Sequence, residues 1–115
     1  SSKHYKPSLE GCSACVVLIR EDQIIVGNVG DTHCIISVNG QAIILSTNHK
    51  PDLASEAERI KNAGRKITVH AERGNIPRVS GGLSLSRTIG DLAYKNNARL
   101  RLEDQAVTSL PDTCS

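Results

Sequence analysis

Apolar residues in the first half of the chain come in short runs cut by turn residues, a rhythm of strands rather than helices. Ala14 to Arg20 is one run, Glu21-Asp22 turns it, and Gln23 to Val29 is a second. Val29-Gly30-Asp31-Thr32 breaks the pattern before Cys34 to Val38 resumes it. Asn39-Gly40 then stands between Ile35-Ile36-Ser37-Val38 and Gln41-Ala42-Ile43-Ile44-Leu45. Asn and Gly both tolerate positive φ, so this pair with strands on either side predicts a tight hairpin. The four runs together predict an antiparallel meander. Ile43-Ile44-Leu45 is apolar at consecutive positions, which predicts a sheet covered on both faces.

The period then changes. Pro51 and Asp52 open a predicted helix in which Leu53, Ala57, Ile60 and Ala63 fall on one face, with Gly64 as its C-terminal cap. Glu56, Glu58, Arg59 and Lys61 are expected on the opposite, solvated face. Lys66 to His70 reads as a further strand and Ala71 to Asn75 as a polar loop. Pro77 to Gly82 leads into Leu83-Ser84-Leu85-Ser86-Arg87, and a basic stretch follows before Gln105 to Thr108. No repeat or linker divides the chain, so residues 1–115 read as one unit with a polar lead-in over 1–10. One helix cannot cover a sheet that is apolar on both faces. The unit therefore either oligomerises or belongs to a larger domain, and the second reading is favoured.

Composition sharpens this picture in two ways. The chain has no Phe, Trp or Met and only two Tyr, Tyr5 and Tyr94, so any core must be aliphatic. Single-strand nucleic-acid recognition by base stacking lacks its aromatic platform. No run approaches the roughly 18 apolar residues of a membrane span, and Ser1 to Glu10 has no secretory-signal pattern. The net charge is +2, but it is unevenly spread, with the basic excess in residues 59–115. That half could attract a phosphorylated ligand, although a solvated basic face is the commoner meaning.

Cys12, Cys15, Cys34 and Cys114 raise the question of metal or redox use. Cys12-Ser-Ala-Cys15 runs directly into a β-branched stretch, not into a helix N-terminus that would lower a thiol pKa, and no second pair follows. Buried, reduced thiols in a reducing compartment, cytoplasm or nucleus, are the expectation.

Several segments, taken in order, resemble one family. They are Gly11-Cys12-Ser13-Ala14-Cys15-Val16, Val26-Gly27-Asn28-Val29-Gly30-Asp31-Thr32, and Leu45-Ser46-Thr47-Asn48-His49-Lys50-Pro51. Glu58-Arg59-Ile60 with Ala63-Gly64, Arg78-Val79 with Gly81, and Leu85-Ser86-Arg87 with Ile89-Gly90-Asp91 follow. The sequence resembles the metal-dependent serine/threonine protein phosphatases of type 2C, in wording closest to plant members, from about Gly11 to Asp112. The resemblance implies an α+β fold, part of a β-sandwich of antiparallel sheets flanked by helices. It also implies Mg or Mn as cofactor and hydrolysis of phosphoserine or phosphothreonine in proteins. Hard divalent cations need clustered carboxylates for such a centre.

Little of that cluster is in this sequence, which contains no Asp-Gly dipeptide and so lacks the family's Asp-Gly-His-Gly and Asp-Gly-x-Trp-Asp elements. Asp31 matches the Asp that in the family approaches a third, more weakly held metal, and is the single candidate metal residue. Its structural alternative is a turn Asp capping backbone N–H groups. The family's catalytic histidine belongs to an element not matched here, so His33, His49 and His70 inherit no acid–base role. His49 is expected to fix the loop before the helix. Arg87 and Asp91 are expected to pair with each other or to orient loops. Arg65, Lys66 and Arg73 lie in the stretch Arg65 to Ile76, which matches the family's variable flap, and could touch a phosphopeptide.

Thr32-His33 replaces Ser-Arg, Asn48 replaces Asp, and Arg65 replaces a Gly, departures that suggest relaxed constraint. The expectation is thus a phosphatase-like chain without catalysis by itself. Its partners would be a phosphoprotein substrate or a regulatory protein, with no nucleic acid and no membrane. The alternative is a non-catalytic binding or regulatory module.

Overall fold

The computed structural model describes residues 8–115, and the first part of the polar lead-in, with Tyr5, lies outside the described residues. Strand β1 (Gly11–Cys12) is followed by β2 (Ala14–Arg20) and β3 (Gln23–Val29), which pair antiparallel from Ala14↔Val29 to Arg20↔Gln23 across the Glu21-Asp22 turn. Strands β4 (Ile35–Val38) and β5 (Gln41–Ile44) form a second hairpin, with Ile35↔Ile44 at its open end. Its two turn residues are both left-handed, Asn39 at φ 50° and Gly40 at φ 79°, as the strand twist of a two-residue hairpin requires.

The four strands do not make the expected meander. β3 and β4 lie in different sheets, because the free edge of β3 is taken by β9 (Asp112–Cys114) from the far end of the sequence. The three-stranded sheet is therefore ordered β2-β3-β9, and β4-β5 stands apart. Helix α1 spans Ala54–Asn62, and Gly64 follows it in the left-handed region at φ 81°. Only Ile67–Thr68 of the next predicted strand is extended, as β6, and it pairs with β7 (Arg78–Val79) around a 3-10 turn at Ala71–Arg73. Leu83 to Arg87 forms no strand; its ends make single bridges, Val79↔Leu83 and Arg87↔Thr108. β8 (Ile89–Gly90) pairs with β1. That approach is close enough to demand glycine: a Cβ on Gly11 would lie 2.0 Å from Asp91 Oδ2, and one on Gly90 2.5 Å from the carbonyl oxygen of Glu10.

The core is aliphatic, as composition required. Ile60, Val79, Ala106 and Val107 are buried together, with Ala63, Ile67, Leu83 and Tyr94 packed around them. It lies under α1, not on the hairpins. Val16, Leu18 and Ile19 of β2 and Ile35 and Ile44 of the second hairpin are exposed, Ile19 at 73% and Ile44 at 62%. The expectation of a sheet covered on both faces fails within this chain for the reason its own helix count gave: the described residues contain one α-helix, and it packs elsewhere.

The helix is also turned from its expected face. Ile60 is buried as predicted, but so is Glu56, while Leu53 is exposed. Glu56 and Ile60 are four positions apart and share one face, so the buried stripe runs through a carboxylate. Glu58 and Lys61 stay in solvent as expected.

All four cysteines are free. Cys12 and Cys114 are exposed and Cys15 and Cys34 half-buried, so the expected burial of the thiols does not hold here. Among the described residues no helix is long and apolar enough to cross a membrane.

Candidate functional site

Asp31 sits where β3 ends and the chain turns toward β4. The turn begins at Gly30, whose φ of 102° is closed to ordinary side chains. It is held from the opposite side by three consecutive residues. His49 grips Gly30 twice: its backbone N–H donates to the Gly30 carbonyl at 3.1 Å, and its Nδ1 accepts from the Gly30 N–H at 2.9 Å. Lys50 Nζ pairs with Asp31 Oδ2. Asn48 Nδ2 lies 3.0 Å from His33 Nε2, so two of the residues that depart from the family pattern touch each other. Asn28 completes the turn from below, donating to the carbonyls of Gly30 (3.2 Å) and Thr47 (2.8 Å) and accepting from the Thr32 hydroxyl.

His49 is fully buried. With Nδ1 accepting, the neutral ring carries its proton on Nε2, which donates to Asp112 Oδ2 at 2.9 Å. The expectation that His49 fixes a loop is met by this geometry: it ties the Asp31 turn to both the α1 approach and β9. Asp112 passes the connection on, its Oδ1 accepting from Arg87 Nη1 at 2.9 Å. Arg87 Nη2 lies 2.7 Å from Glu56 Oε1. Glu56 further accepts from the Ser86 hydroxyl at 2.6 Å and pairs with Arg59 Nη1 at 2.8 Å. Arg59 in turn donates to the carbonyls of Ser86 (2.6 Å) and Gln105 (3.0 Å). A continuous line of polar contacts thus runs from the Asp31 turn to the middle of α1.

Burying a carboxylate is tolerable only when its oxygens are paired, and the donors around Glu56 meet that demand. Burial works to raise its carboxyl, but the hydrogen bonds from Arg87 and Ser86 and the charge of Arg59 outweigh it and hold the group below its ordinary range. Asp112 behaves alike: partial burial is outweighed by the hydrogen bond from His49 and the charge of Arg87, so its carboxyl also titrates low. A depressed folded-state value means stability that is complete above the unfolded carboxylate range and lost as pH falls through the folded one. The part of the stability carried by these two carboxylates is therefore expected to be lost below about pH 5, lowering the urea midpoint there. Glu56→Gln should flatten much of that fall; an unchanged pH profile in this variant would remove Glu56 from the account.

Two expectations need correction. Arg87 does not pair with Asp91. Its guanidinium is committed to Glu56 and Asp112, while Asp91 is buried beside Gly11 at φ 49°. Glu56 and Arg59 are not a solvated face but the hub of the polar line. Helical periodicity alone sends charged residues outward, and the available signal was the pair of arginines able to meet a buried carboxylate. The flap's cations are partly occupied within the chain. Arg65 donates to the Ala93 carbonyl at 3.1 Å, with its guanidinium 5.6 Å from the Tyr94 ring centre, and Arg73 donates to the Gly81 carbonyl at 2.6 Å. Lys66 is exposed.

The donor set does not fit a two-metal centre. Among the described residues no group of three or more His, Cys, Asp or Glu could hold an ion, and the one candidate, Asp31, already has an ammonium on its carboxylate. Hard divalent ions take six or more oxygen ligands, far beyond what this turn offers.

The family described as Protein phosphatase 2C matches residues 1–115. The chain is 54% identical over 106 residues to Probable protein phosphatase 2C 42 of Oryza sativa subsp. japonica, covering 92% of this chain and 29% of that protein. It is 48% identical over 102 residues to Protein phosphatase 1G of Homo sapiens, covering 89% of this chain and 18% of that one. In solved structures, it resembles a phosphatase from Toxoplasma gondii with a TM-score of 0.72 and 37% identity, over 79% of this chain and 27% of that chain. The chain thus spans less than a third of the length of the relatives it matches. A family match along the whole sequence, relatives at about half identity and a shared fold agree with the ordered motifs: the chain belongs to the protein phosphatase 2C family.

Proposed function

We propose that this chain is the central portion of a phosphatase domain that removes phosphate from phosphoserine and phosphothreonine of proteins, using Mg or Mn. In this reading it contributes Asp31 to the metal centre and is inactive alone. The observation that carries the reading is the clamped turn. Asp31 is a half-buried carboxylate at the end of a strand, on a backbone fixed by His49 and Asn28. Such rigidity suits a group that must meet an ion in fixed geometry. The exposed apolar side chains of β2, β4 and β5 are consistent with a larger domain closing over them. The four free thiols fit a reducing compartment, cytoplasm or nucleus.

The test is hydrolysis of a phosphothreonine peptide with millimolar Mn, against a chelator control. The whole protein that carries this segment is expected to turn over, and Asp31→Asn in it to lose about 10- to 100-fold, the scale of a supporting position at a metal. The 115-residue chain alone is expected to show none. Turnover by the chain alone would sink the proposal of inactivity, and full activity of the Asp31→Asn protein would remove Asp31 from the centre. An inert whole protein would favour a non-catalytic, phosphatase-like binding module instead.

A further inference from the structure

Three of the four free thiols converge on one face of the three-stranded sheet. Directly opposed residues of paired strands share a face, and the face alternates along each strand. Cys15 lies opposite Asn28, and Val26, two residues before Asn28, lies opposite Cys114. Cys15 and Cys114 therefore stand on the side that carries Val26 and Asn28, both buried. The segment bearing Cys34 is laid over this side by Asn28, whose amide accepts from the Thr32 hydroxyl and donates to the Thr47 carbonyl at 2.8 Å. Cys34 itself is held at both its backbone groups. Its N–H donates to Ser46 Oγ and its carbonyl accepts from the Leu45 N–H, each at 2.8 Å. The Cys34 thiol consequently meets the Cys15 thiol in hydrogen-bonding contact, with Cys114 beside them. Cys12, which the spacing Cys12-Ser-Ala-Cys15 offers as the partner of Cys15, is instead in β1, paired with Ile89 in another sheet.

We propose that Cys15 and Cys34 are a dithiol site that hydrogen peroxide closes into a reversible disulfide. Both are half-buried, so a small oxidant reaches them. Burial and the neighbouring thiols push the Cys34 thiol up, which keeps it protonated at neutral pH and assigns the first attack to Cys15. The Cys15 thiolate takes one peroxide oxygen as the O–O bond breaks, and the hydroxide released takes up the proton that Cys15 gave, forming water. The Cys34 sulfur then attacks the sulfenic sulfur. The S–S bond forms, the S–OH bond breaks, and the departing hydroxide takes the Cys34 proton as a second water. Two thiols are oxidised and one peroxide is reduced. The bond fastens the segment that follows the Asp31 turn onto β2, and dithiothreitol reverses it by exchange.

The test exposes the reduced 115-residue chain to hydrogen peroxide, blocks the remaining thiols and maps the unreduced peptides by tandem mass spectrometry. Titratable thiols should fall from four to two, with Cys34 joined to Cys15, and dithiothreitol should restore all four. Cys12→Ser and Cys114→Ser should keep the link, and Cys15→Ser should lose it. A Cys12–Cys15 or Cys34–Cys114 link, or sulfinic acid at Cys15 with Cys34 still free, would overturn the proposal. So would an equal yield of the Cys15–Cys34 link in denaturing urea, because the fold would then have no part in the pairing. The map of the unaltered chain decides the pairing whether or not every variant folds.

Discussion

Glu56→Ala is expected to cost about 3–5 kcal/mol of folding free energy, the range found when one partner of a buried ion pair is removed. The size follows from what is left behind. Arg87 loses its 2.7 Å partner, Arg59 its 2.8 Å partner, and the Ser86 hydroxyl its acceptor at 2.6 Å. Ser86 is fully buried and the two guanidiniums are largely so, so water cannot replace what the carboxylate provided. Because a small domain has only about 5–15 kcal/mol in total, the variant should sit close to the edge of folding. Urea denaturation at pH 7 measures the effect, read as a lower midpoint with an unchanged slope. A loss under about 1 kcal/mol would mean that Glu56 is solvated like an ordinary surface pair, contradicting its burial.

Ile60→Ala should rank second, at about 2–5 kcal/mol. Ile60 is fully buried and sits at the centre of a core whose other fully buried apolar members are Val79 and Val107. The void left by three lost carbons is walled in part by the β-branched Val79, Val107 and Ile67, which rotate poorly into new positions. Collapse of the site is therefore limited. The same truncation at Ile44, exposed at 62%, should cost almost nothing in this chain. Comparing the two by thermal or urea unfolding separates packing from helix or strand propensity. If Ile44→Ala were as costly as Ile60→Ala, the apolar face of the second hairpin would be covered in solution rather than exposed.

How far the sequence disclosed all this depended on range. Asn39-Gly40 dictates its hairpin because two neighbouring residues with positive φ suffice to set the turn. The β2–β3 pair was equally legible, since its register follows from the Glu21-Asp22 turn between two strands of equal length. What failed was long-range. Nothing near β3 announces that Val26, Gly27 and Asn28 will pair with residues from 112–114, so a meander looked complete when one edge was still unassigned.

The polar network was missed for a related reason. Periodicity assigns charged side chains to solvent one at a time. The burial of Glu56 makes sense only once Arg87, distant in sequence, arrives beside Arg59. The motif residues fared better, because family resemblance carries long-range information that local pattern lacks. It points to Asp31 and His49, which meet across one turn. Lys50 lies in the same motif, but its ion pair with Asp31 across the turn leaves no mark in spacing.

The edge pairing of β3 with β9 also sets an order of events. The two hairpins close over contacts a few residues apart and can form as soon as each emerges from the ribosome. The third strand of the first sheet cannot, because its partners stand roughly 85 residues further along, and closing so long a loop is slow. Through that interval the outer edge of β3 offers unpaired N–H and C=O groups, a template for any other extended segment nearby. His49 and Arg87 wait with it, each lacking Asp112. Residues 112–114 are therefore the ones that shield this edge of β3.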